Sequence, residues 1–400
     1  MLGRAISRAR RAVALPLFGI AAMLLSACTP SFLGGGPRPD VATAPVSGEV
    51  LGTGPVKVAL LLPLSATGNA GQLAQNMKNA ADLAIREFPS AGIQVLVKDD
   101  RGTADGARAA AQQAISEGAE LILGPLAAAS VTAVAPIAKA SKIPVIAFST
   151  DASTASKGVY LLSFLPQSSV DRVIRYAAAA GKRSYVALLS NDRTGVVIEA
   201  ALQRSVAAAG GRLMGIERYD LDRGSMQAKA TAIAGVINQG GVDSVFIPGG
   251  ADEAPFMAQI LAANKVKPGT VRYLGSGQWD DSRVTAESNL VGGWYAAPER
   301  AGFAAFAQRY QAAFGAAPIR TASLAYDATS LAAGLAARFG AARFAEKTIT
   351  NPSGFIGIDG AFRLLANGLN ERGLAVYEVK RGGTAAVVSP APRSFTRPAT

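Results

Sequence analysis

"ELILGPLAAASVTAVAPIAKASKIPVIAFSTDAST", Glu120–Thr154, is the stretch whose reading decides the fold. Its spacing predicts a short apolar strand at Leu121–Leu123, a Gly-Pro turn, a helix, and a second apolar strand at Val145–Phe148 that ends in hydroxyl and acidic residues. Both strands are near-continuous Val, Ile, Leu and Phe, as a parallel strand buried on both faces requires. Ligands of open α/β sheets bind outside the carboxyl ends of the strands, so the loops Gly124–Ser130 and Ser149–Thr154 are candidate site loops.

The same alternation extends in both directions. "VKVALLLPLS" from Val56 reads as a buried strand, and Gln72–Phe88 as a helix with Leu73, Met77, Ala80, Ala81 and Ala84 on one face. Strand Ile93–Lys98 and helix Ala104–Glu117 complete the approach to Glu120. Asp99, Asp100 and Asp105 suggest a calcium loop only at first glance, because the glycines stand at the wrong offsets and no bidentate Glu follows. After Val159–Leu165 the pattern restarts, which predicts a second α/β sheet beginning near Pro166.

The expected fold is therefore α/β, two doubly wound parallel-sheet lobes with a cleft between them. Lobe I is expected over 56–165 and 299–341, lobe II over 166–298 and 342–385, and a C-terminal tail over 386–400. Ala361–Leu365 and Leu374–Val379, joined by "ANGLNERG", read as a hairpin closing the second lobe.

Composition narrows the chemistry. Half of the 400 residues are hydrophobic, which suits a large folded core. The sequence contains no histidine and one cysteine, so Ser-His-Asp and Cys-His catalysis, His-bearing metal sites and internal disulfides have no residues to carry them. No Ser-x-x-Lys, GxSxG or Walker loop occurs either, so an enzyme is not expected, nor a cofactor or metal. The formal charge of +12 falls to +8 once the leader arginines 4, 8, 10 and 11 are set aside. The remaining cations are scattered, with no basic stripe for nucleic acid.

Met1–Arg11 is basic, Ala12–Leu25 is an apolar run short for a membrane span, and Leu25-Ser26-Ala27-Cys28 follows. These four positions resemble the lipobox of bacterial lipoproteins, which implies a signal peptide over 1–27 and acylation of Cys28. Thr29, where an inner-membrane retention signal would have Asp, implies an outer-membrane lipid anchor facing the periplasm. Residues 28–55, rich in Gly, Pro, Ala, Thr and Ser, are expected to form a flexible linker.

"VALLLPLSATGNAGQLAQNMKNAADLAI", "LILGPLAAASVTAVAPIAKASKIPVIAFST", "AYDATSLAA" and "GFIGIDGAFRLLANGLNERGLAVYEVKRG" stand in an order that resembles the type I periplasmic binding proteins, the leucine/isoleucine/valine-binding superfamily. "GVYLLSFLPQSSVDRVIRYAAAAGKRSYVALL" and "LGSGQWDD" most resemble the penicillin-binding-protein activator lipoproteins, LpoA-like, within it. The resemblance implies a cleft that holds a ligand carboxylate on strand-end hydroxyls and helix N-terminal N–H groups. Ser65, Thr67, Ala128, Ala129, Ser130, Ser149, Thr150 and Ser153 are the first-lobe candidates; helix capping and turn formation are the alternative reading of the hydroxyls. The second lobe offers Asp192, Thr194, Asp252 and Trp279, with Asp280 and Asp281 nearby, but no acid where an amino-acid binder needs one for the ligand ammonium. Trp279 and Trp294 read as cleft aromatics or as core.

Two functions follow. One is a lipid-anchored regulator that activates a penicillin-binding protein, a peptidoglycan synthase. The other is the substrate-binding component of an ABC importer, with a permease as partner and an amino acid, a muropeptide or another small polar solute as ligand.

Overall fold

The computed structural model describes residues 44–266 and 269–395. The leader, Cys28, most of the proposed linker and residues 396–400 lie outside them.

The first sheet contains β1 (Val50–Leu51), β2 (Val56–Leu62), β3 (Ile93–Asp99), β4 (Leu121–Leu123), β5 (Val145–Ala147) and β6 (Val159–Leu161), in the order β1-β3-β2-β4-β5-β6. All neighbours run parallel except β1, which pairs antiparallel with β3. The crossovers are α1 (Gly68–Glu87), α2 (Ala104–Ser116) and α3 (Ala128–Ala140). Successive residues of β2 explain why the strands are apolar throughout. Val58, Leu60 and Leu62 enter a core shared with α1, while Ala59 and Leu61 enter one shared with α2 and α3. A strand buried on both faces has no side for polar residues.

The second sheet contains β7 (Ser184–Ser190), β8 (Arg212–Tyr219), β9 (Ser244–Phe246), β10 (Arg272–Gly275) and β11 (Trp294–Ala297), with helices α4 (Pro166–Ala179), α5 (Arg193–Ala208), α6 (Arg223–Asn238) and α7 (Ala254–Ala263) and a turn α8 (Ser282–Thr285). The chain then returns to the first lobe as α9 (Arg300–Phe314), α10 (Ala322–Phe339), α11 (Glu346–Ile349) and a small sheet of β12 (Phe355–Gly357), β13 (Gly360–Leu364) and β14 (Asn370–Arg372). It ends with β15 (Ala375–Lys380) and β16 (Thr384–Ser389), which complete the second sheet in the order β16-β15-β11-β10-β9-β7-β8. Those last two strands are antiparallel and the other pairings parallel, so both sheets are mixed at an edge.

Five features differ from the sequence expectations. The segments 361–365 and 374–379 do not form a hairpin. β13 pairs with β12 and β14, whereas β15 pairs with β11. Phe344, Ile349, Phe362 and Leu364 join the core of β2, α1 and α10, so 342–372 packs with the first lobe rather than the second. The reason lies partly in Asn370, whose buried amide donates to the carbonyls of Leu161 (2.7 Å) and Ser163 (2.9 Å) and ties β14 to the end of β6. β1 lies within the stretch expected to be linker, and β16 reaches into the expected tail. β11, which the sequence reading passed over, supplies the inner rail for β15.

Candidate functional site

The chain passes between the two lobes three times, at Phe164–Leu165, at Pro298–Glu299 and at Gly373–Leu374. A cavity of about 430 Å³ sits at these passages, and its wall includes residues of all three. The second lobe contributes Ser276, Gly277, Gln278 and Asp280 from the turn after β10 and Ala297 from the end of β11. The first turn of α4, with Pro166, Ser168 and Ser169, closes one side. Phe164, Leu165, Ile198 and Leu374 make much of the lining apolar. This is the place where carboxyl ends of parallel strands open onto a crevice, the position expected of a ligand in an open α/β sheet.

Two arginines stand in this wall, Arg320 just before α10 and Arg372 at the end of β14. Arg320 pairs with the fully buried Asp359, Nη1 to Oδ1 at 2.5 Å, and stacks on Phe303 at 4.2 Å. Ser323 donates its hydroxyl to the other oxygen of Asp359 at 2.7 Å. Arg372 is 7 % exposed and donates Nε–H to the Ser163 carbonyl at 3.1 Å, with its guanidinium 4.7 Å from the Phe164 ring centroid. Its two terminal nitrogens have no hydrogen-bond partner. Asp327 lies close behind, 2 % exposed, accepting from Ile358 N–H at 2.8 Å. Burial pushes its carboxyl up to about 7, against the opposing pull of Arg372.

Asp280 is the single acid in that wall, and it is engaged. Arg300 donates Nε–H to its Oδ1 at 2.8 Å and the Tyr295 hydroxyl donates to the same atom at 3.2 Å.

Of the residues singled out from sequence, Asp280 lines this cavity and the others stand elsewhere. Ser65 and Thr67 are exposed; Thr67 is the N-cap of α1 with no side-chain cap bond. Ala128 and Ala129 open α3, but Ser130 is fully buried and its hydroxyl faces the Thr103 carbonyl at 3.4 Å. Ser149 accepts from Asp151 N–H at 3.1 Å, Thr150 is exposed, and Ser153 donates its hydroxyl to Asp151 at 2.6 Å. Asp192 caps α5 by accepting from Gly195 N–H at 2.7 Å, and Thr194 is exposed beside it. Gly195 is required there, since a Cβ would lie 1.8 Å from the Ser190 carbonyl oxygen. Asp252 is exposed and meets Arg283 at 3.5 Å.

Trp279 is not a cleft aromatic. It is fully buried in the second-lobe core and donates Nε1–H to the Ile247 carbonyl at 2.9 Å. Its indole lies so close over Gly275 that a Cβ would stand 2.1 Å away. Trp294 packs edge-on against Tyr176 at 4.8 Å and under Arg272 at 4.2 Å. The sequence reading missed Arg320, Arg372 and Phe164. The signal it could have used is the position of Phe164 at a lobe passage and of Arg372 after an Asn-Gly turn.

The family model described as periplasmic binding protein matches residues 55–384. The chain belongs to the periplasmic binding protein family. No curated protein matches it. Among solved structures, this periplasmic binding protein is similar to a putative branched-chain amino acid ABC transporter protein from Rhodospirillum rubrum, at 17% identity and a TM-score of 0.73, over 83% of this chain and 99% of that one. It is also similar to a solute-binding protein of an ABC transporter from Rhodopseudomonas palustris, solved with 3,4-dihydroxybenzoic acid, at 20% identity and a TM-score of 0.60, over 86% and 98%. A third is the substrate-binding protein LivJ of Streptococcus pneumoniae, solved with isoleucine, at 16% identity and a TM-score of 0.54, over 84% and 99%. At these identities the likeness is one of fold, the type I periplasmic binding fold with two α/β lobes. No helix among the described residues is long and apolar enough to cross a membrane.

Proposed function

We propose that this chain is the solute-binding component of an ABC importer and holds a small organic solute in the cavity at the lobe passages. The observation that carries this reading is the cavity: about 430 Å³, mostly apolar, with a few convergent polar groups, the dimensions and chemistry of a small-molecule site. Support comes from the neighbours of the same fold, whose named ligands are isoleucine, 3,4-dihydroxybenzoic acid and benzoate. The chain acts by binding and release, with no chemical step.

The second reading is a lipid-anchored activator of a peptidoglycan synthase. What favours it is how the second-lobe acids expected to meet a ligand ammonium are used: Asp192 caps α5 and Asp252 pairs with Arg283. A thermal-shift screen with free amino acids, small organic acids and muropeptides separates the two. A solute at a hundredfold its Kd stabilises the chain by about 2.7 kcal/mol. A flat screen, with the chain raising the activity of a co-purified peptidoglycan synthase, replaces the importer reading by the activator one.

Anchoring at Cys28 belongs to either reading. Cys28→Ala is expected to release the protein from the membrane fraction, and a variant that stays membrane-bound excludes acylation there.

A further inference from the structure

We propose that the base of the first lobe, at a groove rimmed by Lys139, Lys142 and Lys157, docks on the anionic phospholipid surface of the membrane that holds the chain through Cys28. The inference rests on anchoring at Cys28 and is independent of what the cleft binds.

The groove, about 560 Å³, lies at the amino ends of β5 and β6, the end of the sheet opposite the cleft. Lys139 is in the last turn of α3 and Lys142 in the turn that follows, whereas Lys157 comes from the loop before β6, so two segments bring exposed cations to one rim. One acid lines the groove with them: Glu346, the first residue of α11, which pairs with Lys157 at 3.0 Å. Neither Lys139 nor Lys142 forms an ion pair among the described residues, and Glu120, just before β4, is taken by Arg343 at 2.8 Å. The carbonyl end of a helix favours cations, which accounts for a lysine at the end of α3 but not for Lys157, which belongs to no helix. Pro136, Ile143 and Phe344 give the groove an apolar floor. That floor suits the glycerol and upper methylenes of a lipid whose phosphate sits at the lysine rim.

The tether leads to the same end of the lobe. Ala44 donates its N–H to the carbonyl of Ser116, the last residue of α2, at 2.8 Å. The chain then enters β4, the parallel neighbour of β5, so this point and the lysines share the amino-end edge of the sheet. From Cys28 to Ala44 the backbone spans at most about 55 Å when fully extended, so an acylated Cys28 keeps the base within reach of the bilayer. Lysines near an anionic surface add about fivefold each, which is weak binding for a free protein. A short tether raises the effective concentration of the surface to the millimolar range, where weak contact is enough to orient the lobe.

Cys28 is the only cysteine, so the mature chain, made without the leader, can be coupled through it to a maleimide-bearing lipid. The vesicles are phosphatidylcholine alone or phosphatidylcholine with phosphatidylglycerol, and labelling by acetic anhydride, read by mass spectrometry, reports each lysine. On the anionic vesicles Lys139, Lys142 and Lys157 are expected to label about threefold or more slowly than on the neutral ones, a difference that high salt removes. Lys229 and Lys380 of the second lobe are expected to label alike on both. Lys139→Glu combined with Lys142→Glu is expected to return Lys157 to its rate on neutral vesicles. Equal labelling of the three lysines on the two surfaces overturns the inference and leaves the groove to an acidic protein segment. Protection of every lysine alike, or of Lys157 in the double variant, overturns the assignment to this groove. Because the coupling supplies the tether chemically, these outcomes do not depend on acylation in the cell, which the Cys28→Ala fractionation tests by itself.

Discussion

Asp151 of the first lobe and Arg193 of the second meet across the mouth of the cleft, Oδ2 to Nη1 at 3.6 Å. Asp151 sits in the turn after β5, where Ser153 holds its other oxygen, and Arg193 is the first residue of α5. The two sheets are otherwise joined at this end by no ion pair among the described residues. An exposed pair of this kind contributes about 0–1 kcal/mol to stability, because water and salt screen it. Its effect on the angle between lobes can exceed its effect on folding. Arg193→Ala is expected to leave the unfolding free energy within about 1 kcal/mol of wild type while raising the radius of gyration measured by small-angle scattering at low salt. An unchanged radius at low salt would show that the pair does not restrain the lobes.

Asp359 illustrates the opposite regime. It is fully buried, with one oxygen on Arg320 and the other on Ser323, and it sits in the two-residue turn between β12 and β13. Removing it strands a cation and a hydroxyl in the lobe core. Asp359→Ala is expected to destabilise the chain by about 3 kcal/mol, at the lower end of the range for a broken buried pair because Arg320 is partly exposed. Urea unfolding checks this; a loss below about 1 kcal/mol would mean that Arg320 finds solvent freely.

Asp327 makes stability depend on pH in the direction unusual for an acid. Its folded-state pKa is raised from 3.8 to about 7, chiefly by burial, with Asp359 adding repulsion and Arg372 and Arg320 opposing. Below 3.8 both states are protonated and the group is neutral in its effect. Between 3.8 and about 7 the unfolded chain sheds the proton and the folded one keeps it, so stability falls as pH rises through that window and levels off above it. Asp327→Asn is expected to remove this fall, so its stability relative to wild type improves from about pH 4 to about pH 8. Parallel stability–pH curves for the two proteins would contradict the shift.

Trp279 is expected to matter for folding and not for ligand contact. Trp279→Ala removes a fully buried indole and should cost about 3–5 kcal/mol. Trp279→Phe keeps most of the volume but leaves the Ile247 carbonyl without its donor, at a cost of about 1–3 kcal/mol. Quenching of Trp279 fluorescence by acrylamide in the folded protein, read in a Trp294→Phe background, would place the indole at the surface and contradict the assignment.

The strands of both sheets were legible because of where they sit. A strand such as Val56–Leu62 packs helices on both faces, so burial writes itself into sequence as an unbroken apolar run. Helix Gly68–Glu87 showed its buried stripe, Met77, Ala80, Ala81 and Ala84, for a similar reason. The short strands Phe355–Gly357 and Asn370–Arg372 carry no such run, and their sheet was read as part of the wrong lobe.

The site was less legible. The hydroxyls of Ser130, Ser149 and Ser153 lie in the loops that topology indicated, yet each makes its bond within the chain, an ambiguity that a residue type cannot resolve. Arg372 and Arg320 looked like two more scattered cations.

Sequence by itself determined the alternation of strand and helix, and with it two α/β lobes, because burial on one or both faces of an element leaves its period in the local run of residues. Tertiary structure alone decided the lobe to which 342–372 belongs and the chemistry of the cavity. Phe164, Arg320 and Arg372 are far apart in the chain, and they meet because the backbone crosses between lobes beside all three. Whether an arginine is solvated or buried without a partner depends on that meeting and on nothing local to it.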